Sequence, residues 1–218
     1  MNISKLVNMA KLLSFSYDKE AIMNLLRAVY SLQKVADMAL AHEEKNGIHY
    51  RLVTVARPDT AVLNALSIVQ LLKLRNALPS SRRIIVPNMH HWTGVNDRFA
   101  IGTRSAMFHA YMQRWSWFIA ERYKAIRSRS FKSEVVLDEL LRKHNVTVDV
   151  TDVCIVRVRA TGVCNAADFT AQAELPKLML DQLLERQLNQ TQVQGPCQKF
   201  KCNRTTLLLE PASQDARL

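Results

Sequence analysis

Amphipathic stretches alternate with short β-branched apolar runs over most of this chain, and that alternation restricts it to folds in which helices pack on a sheet. From Glu20 the apolar residues Met23, Leu26, Val29 and Tyr30, then Leu32, Val35, Ala36 and Ala39, recur at three- and four-residue steps. One stripe of a helix is therefore buried, and Asn46-Gly47 stops it. Tyr50 to Ala56 is a short apolar run of the kind covered on both faces, as in a parallel sheet flanked by helices. A second helix is predicted over 60–77, closed by Pro79, and Ile84-Ile85-Val86 predicts another buried strand. A long helix over 104–129 is predicted to carry Met107, Tyr111, Trp115, Phe118 and Ile126 on its buried side, its arginines forming a solvated face. Ser133 to His144 reads as a further helix, with strands over 146–150 and 154–158. Together these predict an α/β fold with a mostly parallel sheet over residues 1–164. A helix over 175–188 and a poorly ordered Gln/Asn-rich tail complete the chain to 218.

Length and charge narrow the function classes. The 218 residues suffice for one domain with a sizeable core, and no apolar run approaches the roughly 20 residues that a membrane span requires. The net charge of +11 is uneven: residues 1–72 carry +2, residues 73–132 carry +10 and residues 133–218 carry −1. Such a field favours an anionic partner, whether nucleic acid, a phosphorylated small molecule or a membrane surface. No RNP, zinc-finger or helix-turn-helix signature accompanies the charge, so nucleic acid is the weakest of these.

Cys154, Cys164, Cys197 and Cys202 show no CxxC spacing, which leaves buried free thiols and disulfides both open. Four sequons, at Asn2, Asn145, Asn189 and Asn203, exceed the roughly one that chance would give twelve asparagines. They tilt the expected location toward the secretory pathway or Golgi, with the cytoplasm as the alternative.

An ordered motif series is more specific than any of these. It runs Arg57-Pro58-Asp59, Val86-Pro87-Asn88, Gly94-Val-Asn-Asp-Arg-Phe-Ala-Ile-Gly102, Arg104-Ser-Ala-Met107, Tyr111, and Phe131-Lys-Ser-Glu134. Over about residues 20 to 160 it resembles a family of nucleotide-sugar glycosyltransferases known from uncharacterised eukaryotic and bacterial proteins, with a GT-A-like fold. The resemblance implies transfer of a sugar from a nucleotide-sugar donor to a glycan, protein or lipid hydroxyl. A catalytically inactive, glycosyltransferase-like interaction domain is the alternative. Only 58 residues precede Asp59, fewer than the donor-binding βα units of the GT-A class occupy, so the chain reads as N-terminally short for such an enzyme and weak donor binding is expected.

The resemblance also implies roles. Leaving-diphosphate charge is neutralised by a divalent cation, Mn²⁺ or Mg²⁺, held by carboxylate oxygens and assisted by basic side chains. Asp59 is the metal-ligand candidate; the usual GT-A pair of acids one apart is absent, since Arg and Pro stand at 57 and 58. Arg57, Arg98 and Arg104 are the candidates for binding the diphosphate. Asp97 is the candidate base for the acceptor hydroxyl, Asn96 orients the acceptor, Trp92 stacks on a sugar face, and Glu134 is the second acidic candidate. Each also has an ordinary structural role: an Arg57–Asp59 ion pair, an Asx turn at Asp97, a helix N-terminus at Glu134. His90 and His91 point apart on an extended chain and have no carboxylate spaced to join them, which disfavours them as metal ligands.

Overall fold

The computed structural model describes residues 18–63, 66–76, 81–120, 132–151 and 153–158, together with the backbone of 200–201 and 210–211. Helix α1 spans Lys19–Asn46, with Asp18 accepting a hydrogen bond from the Ala21 N–H at its start and Gly47 left-handed at its end. Strand β1 (Leu52–Ala56) follows, then β2 (Thr60–Val62), α2 (Ile68–Arg75), β3 (Arg83–Pro87) and β4 (Phe99–Thr103). The helical segment after β4 comprises α3 (Arg104–Ala106), a π-helical turn (Met107–Tyr111) and α4 (Arg114–Ile119). It is followed by α5 (Ser133–Lys143), β5 (Thr147–Thr151), β6 (Ile155–Arg157) and the short pair β7 (Phe200–Lys201) and β8 (Glu210–Pro211).

The central sheet has the order β1-β4-β3-β5. Strand β4 pairs antiparallel with both β1 and β3, while β3 and β5 are parallel. The α/β class expected from the sequence holds, but the mostly parallel, Rossmann-like sheet does not: the sheet is mixed and two of its three pairings are antiparallel. The reason lies in the connection between β3 and β4, a polar loop over 88–98 rather than a helix, which returns the chain beside β3 in the opposite direction. Short runs buried on both faces carry no periodicity that reveals strand direction.

Alternation along the strands supplies both faces of the core. Ile84, Val86, Ala100 and Val148 face α1, the π-helical turn and α5. Ile85, Phe99 and Ile101 face Leu74 of α2 and the segment Val153 to Ile155. A neighbouring cluster joins Ile22, Leu26 and Val29 of α1 to Trp115 and Phe118 of α4 and to Val136 and Leu140 of α5. Gly102 is required where β4 meets the π-helical turn: a Cβ there would lie 2.7 Å from the Ile84 side chain and 2.8 Å from that of Met107.

Two further expectations change. Residues 60–62 are a strand paired antiparallel with β6, so the predicted helix over 60–77 is shortened to α2, whose N-terminus Ser67 caps. The predicted long helix from 104 is interrupted: the Met112 N–H reaches the Met107 carbonyl across a π-helical turn, and the described helix ends at Ile119. The predicted helix over 175–188 lies outside the described residues.

Because β1, β3 and β5 run in one direction, their carboxyl ends share one edge of the sheet, where the β4 amino end also lies. In open α/β sheets ligands bind at such an edge. The RPD turn follows β1, the VPN turn closes β3 and the NDR tripeptide enters β4, so topology alone brings three motifs to one place.

Candidate functional site

The β3–β4 loop is held rigid by its own polar groups. Asn96 is fully buried: its Nδ2 donates to the Met89 carbonyl at 2.7 Å, its Oδ1 accepts from the Arg98 N–H at 2.9 Å, and its N–H donates to His91 Nδ1 at 3.2 Å. His91 must therefore be unprotonated at Nδ1, and burial, with His90 beside it, pushes its pKa down to about 4. His90, Trp92 and Thr93 have positive φ values of 54°, 49° and 69°. Such backbone is costly away from glycine, most of all for a β-branched threonine, and it persists only where surrounding bonds enforce it.

The loop is also locked to the start of α5. The Val95 N–H donates to the Glu134 carbonyl at 3.0 Å. Gly94 makes the approach possible, since a Cβ there would lie 2.2 Å from the Glu134 carbonyl carbon and oxygen and 2.4 Å from the Val135 nitrogen. Backbone atoms cannot step aside as a flexible side chain would. Gly94→Ala is therefore expected to cost about 3 kcal/mol of stability and to separate the loop from α5. Urea denaturation checks the first effect; loss of hydrogen-exchange protection at the Val95 amide checks the second.

This closure brings Asp97 and Glu134 within electrostatic reach of each other. Asp97 Oδ2 accepts the Ser133 hydroxyl at 2.5 Å and an Arg114 guanidinium N–H at 3.3 Å, and its side chain is 11% exposed. Arg114 is 4% exposed, donates also to Ser133 Oγ at 3.1 Å, and lies 5.1 Å from the centroid of the Tyr111 ring. Glu134 is half-buried; desolvation first, and the Asp97 charge second, push its pKa up to about 7, against the opposing pull of Arg98 and Arg114. A carboxyl with that pKa exchanges its proton near neutrality, as an acid–base catalyst must. The Tyr111 hydroxyl is fully buried and held neutral, burial driving its pKa far upward.

At the β1 end, the Arg57 N–H donates to the Arg98 carbonyl at 2.8 Å, tying the RPD turn to the NDR segment. Arg57 forks onto Asp59, Nε to Oδ1 at 3.0 Å and Nη2 to Oδ2 at 2.9 Å, and it also feels the charges of Asp97 and Glu134. Trp92 stands at the rim, 45% exposed, with its ring stacked near His90 and the Lys132 ammonium 5.7 Å from its centroid.

Of the residues singled out in the sequence, Arg57, Asp59, Asp97, Arg98 and Glu134 thus converge, and Trp92 lies on the neighbouring loop. Two are placed elsewhere. Asn96 spends both ends of its carboxamide inside the loop, so it holds the loop rather than orienting an acceptor. Arg104 lies at the far end of the β1–β4 ladder, where it makes hydrogen bonds of 2.6 to 2.9 Å to the buried Glu43 carboxylate. Its charge offsets a buried acid on α1 and does not join the diphosphate-binding set.

The candidate metal ligand fares differently from the acid pair. Both Asp59 oxygens are engaged by Arg57, and no group of three or more His, Cys, Asp or Glu side chains suited to hold a metal ion occurs among the described residues. With Arg57 on both of its oxygens, Asp59 would take a divalent cation only by giving up that ion pair.

Sequence reasoning missed Arg114 and Ser133 as site residues and placed Tyr111 in the core. Arg114 had a readable signal. It lies three residues after Tyr111 and seven after Met107, on the apolar stripe rather than opposite it, and a charge there demands a buried partner.

Comparison with protein-family models, with curated proteins and with solved structures finds no match.

Proposed function

We propose that the chain is a glycosyltransferase that moves a sugar from a nucleoside diphosphate donor to a hydroxyl acceptor. The observation that carries this reading is the acid pair of Asp97 and Glu134, set beside Arg57 and Arg98 at the carboxyl edge of the sheet. Transfer needs a group that takes the acceptor proton as its oxygen attacks the anomeric carbon. It also needs positive charge where the C–O bond to the diphosphate breaks and leaves its electron pair on the phosphate oxygen. Glu134, poised near neutrality, is the proton acceptor. Asp97, held by Ser133 and Arg114, supplies fixed negative charge for an oxocarbenium-like centre and keeps Glu134 basic. Arg57 neutralises the leaving diphosphate, with the buried Arg98 adding positive charge behind it; the Arg57–Asp59 pair is partly exposed and therefore weak, so Arg57 can exchange carboxylate for phosphate. Exposed Trp92 offers an aromatic face to a sugar ring. The basic concentration over 73–132 suits the same anionic donor.

The four sequons favour the secretory pathway or Golgi as its location, with the cytoplasm as the alternative. No helix among the described residues is long and apolar enough to cross a membrane.

The test is release of nucleoside diphosphate from a panel of nucleotide sugars with hydroxyl acceptors, run with Mn²⁺ and with chelator. Turnover with weak donor binding is expected, and Arg57→Ala should raise the donor KM about 10- to 100-fold further, the loss of a charged hydrogen bond to phosphate. Absence of donor binding and turnover across the panel, with the fold intact by circular dichroism, would instead identify an inactive interaction domain.

A further inference from the structure

We propose that Asn145 is an N-glycosylation site, placed on the end of the molecule remote from the candidate catalytic edge. Asn145-Val146-Thr147 is an acceptor sequon, and two sets of observations make it a usable one. First, Asn145 occupies the position just past α5 with φ 51°; its N–H donates to the Arg142 carbonyl at 3.0 Å and the Val146 N–H to the Leu141 carbonyl at 2.9 Å. Those two bonds close the helix in a Schellman turn and use the backbone alone. The side chain is exposed, and no hydrogen bond engages its carboxamide among the described residues. A glycan there displaces no hydrogen bond seen among the described residues. Second, Cys154 is disulfide-bonded, as befits the oxidising compartment in which this modification is made.

An asparagine at a left-handed helix end has a structural explanation of its own, since it is the next best residue to glycine there. That preference accounts for Asn145 but not for a hydroxyl at Thr147. It also leaves unexplained why the chain carries four sequons. The position is orderly with respect to function. Asn145 precedes β5, so it lies at the edge of the sheet opposite the one where Arg57, Asn88 and the acid pair stand. A branched oligosaccharide projecting from it leaves the site open.

The modification is a group transfer from a polyisoprenyl diphosphate oligosaccharide. Asn145 Nδ2 forms a bond to the anomeric carbon, the bond from that carbon to the diphosphate oxygen breaks with its electron pair, and the amide proton passes to a base of the oligosaccharide transferase. The full chain, directed by an added leader into the endoplasmic reticulum lumen of cultured cells, tests the assignment by peptide mapping before and after enzymatic removal of N-glycans. The peptide containing Asn145 is expected to carry a glycan in most molecules. Thr147→Ala should remove that one glycan while keeping the Asn145 turn, and Asn145→Gly should remove it while keeping the left-handed backbone; both should melt as the deglycosylated parent does. Recovery of this peptide mainly as unmodified asparagine, from lumenal protein in which Cys154 is oxidised, overturns the proposal. The outcome is independent of whether the chain transfers sugars itself.

Discussion

Arg114→Met is expected to destabilise the fold by about 3 to 5 kcal/mol, the usual cost of removing one partner from a buried ion pair. Methionine keeps the length and most of the packing against Tyr111, so the loss reports charge and hydrogen bonding rather than volume. Without Arg114, Asp97 retains the Ser133 hydroxyl but no cation at bonding distance on its Oδ2. Asp97→Asn, made alone, leaves the guanidinium buried and is expected to be costly for the same reason. The double variant should be markedly less destabilised than the sum of the two, because neither charge is then stranded. Urea denaturation of the four proteins measures this directly. Additive losses, or a loss below about 1 kcal/mol for Arg114→Met, would show that Arg114 and Asp97 do not depend on each other as the geometry requires.

That dependence explains how one short segment organises the site. The π-helical turn ends at Tyr111 and re-aims the chain so that Arg114, on the next turn, faces inward toward the loop before β4. Such π-helical turns occur frequently at functional sites. The catalytic candidates are therefore held from three sides: by Gly94 packing on α5, by Asn96 within the loop, and by Arg114 behind Asp97. Preorganisation of this kind is what electrostatic catalysis needs.

Much of this was legible in the sequence, and what was not has physical causes. Helix α1 was readable because an unbroken apolar stripe from Glu20 and a glycine stop agree, and the structure adds the Asp18 cap at its start. Arg57, Asp97 and Arg98 lie beside strand ends, as their motifs suggested, whereas Glu134 opens α5 and is brought to them by the contact at Gly94. Sheet direction was hidden, since Phe99 to Thr103 is buried on both faces and reads the same whichever way it runs. Strand β2 was read as helix because Thr60-Ala-Val62 is too short to show a period, and its pairing with β6 is long-range. Arg104 was misplaced for a simpler reason: closeness to Arg98 in sequence is not closeness in space when a strand separates them. Glu134 and Asp97 were legible as candidates, but their division of roles depends on burial and on Arg114, which no motif contained.

Glu134→Gln is expected to reduce turnover about 100- to 10,000-fold if Glu134 takes the acceptor proton, with little change in donor KM. In the parent, kcat/KM should rise with pH through about 7, because the base acts only when deprotonated. The same substitution has a stability signature independent of any substrate. Between about pH 4.5 and 7 the folded protein holds the Glu134 proton more tightly than the unfolded chain, so stability falls as pH rises across that window, by about 3 kcal/mol in all. His91 acts in the opposite sense: its folded pKa lies near 4 against 6.5 unfolded, so stability falls as pH drops from about 6.5 to 4. In the parent the two slopes largely cancel over their shared range. Glutamine at position 134 does not titrate, so the variant should lose the Glu134 slope and keep that of His91, falling further in stability than the parent on acidification below pH 6.5. Urea midpoints measured from pH 4 to 7.5 would reveal this, and parallel profiles for parent and variant would mean that Glu134 is an ordinary exposed carboxylate with no claim to the proton-transfer role.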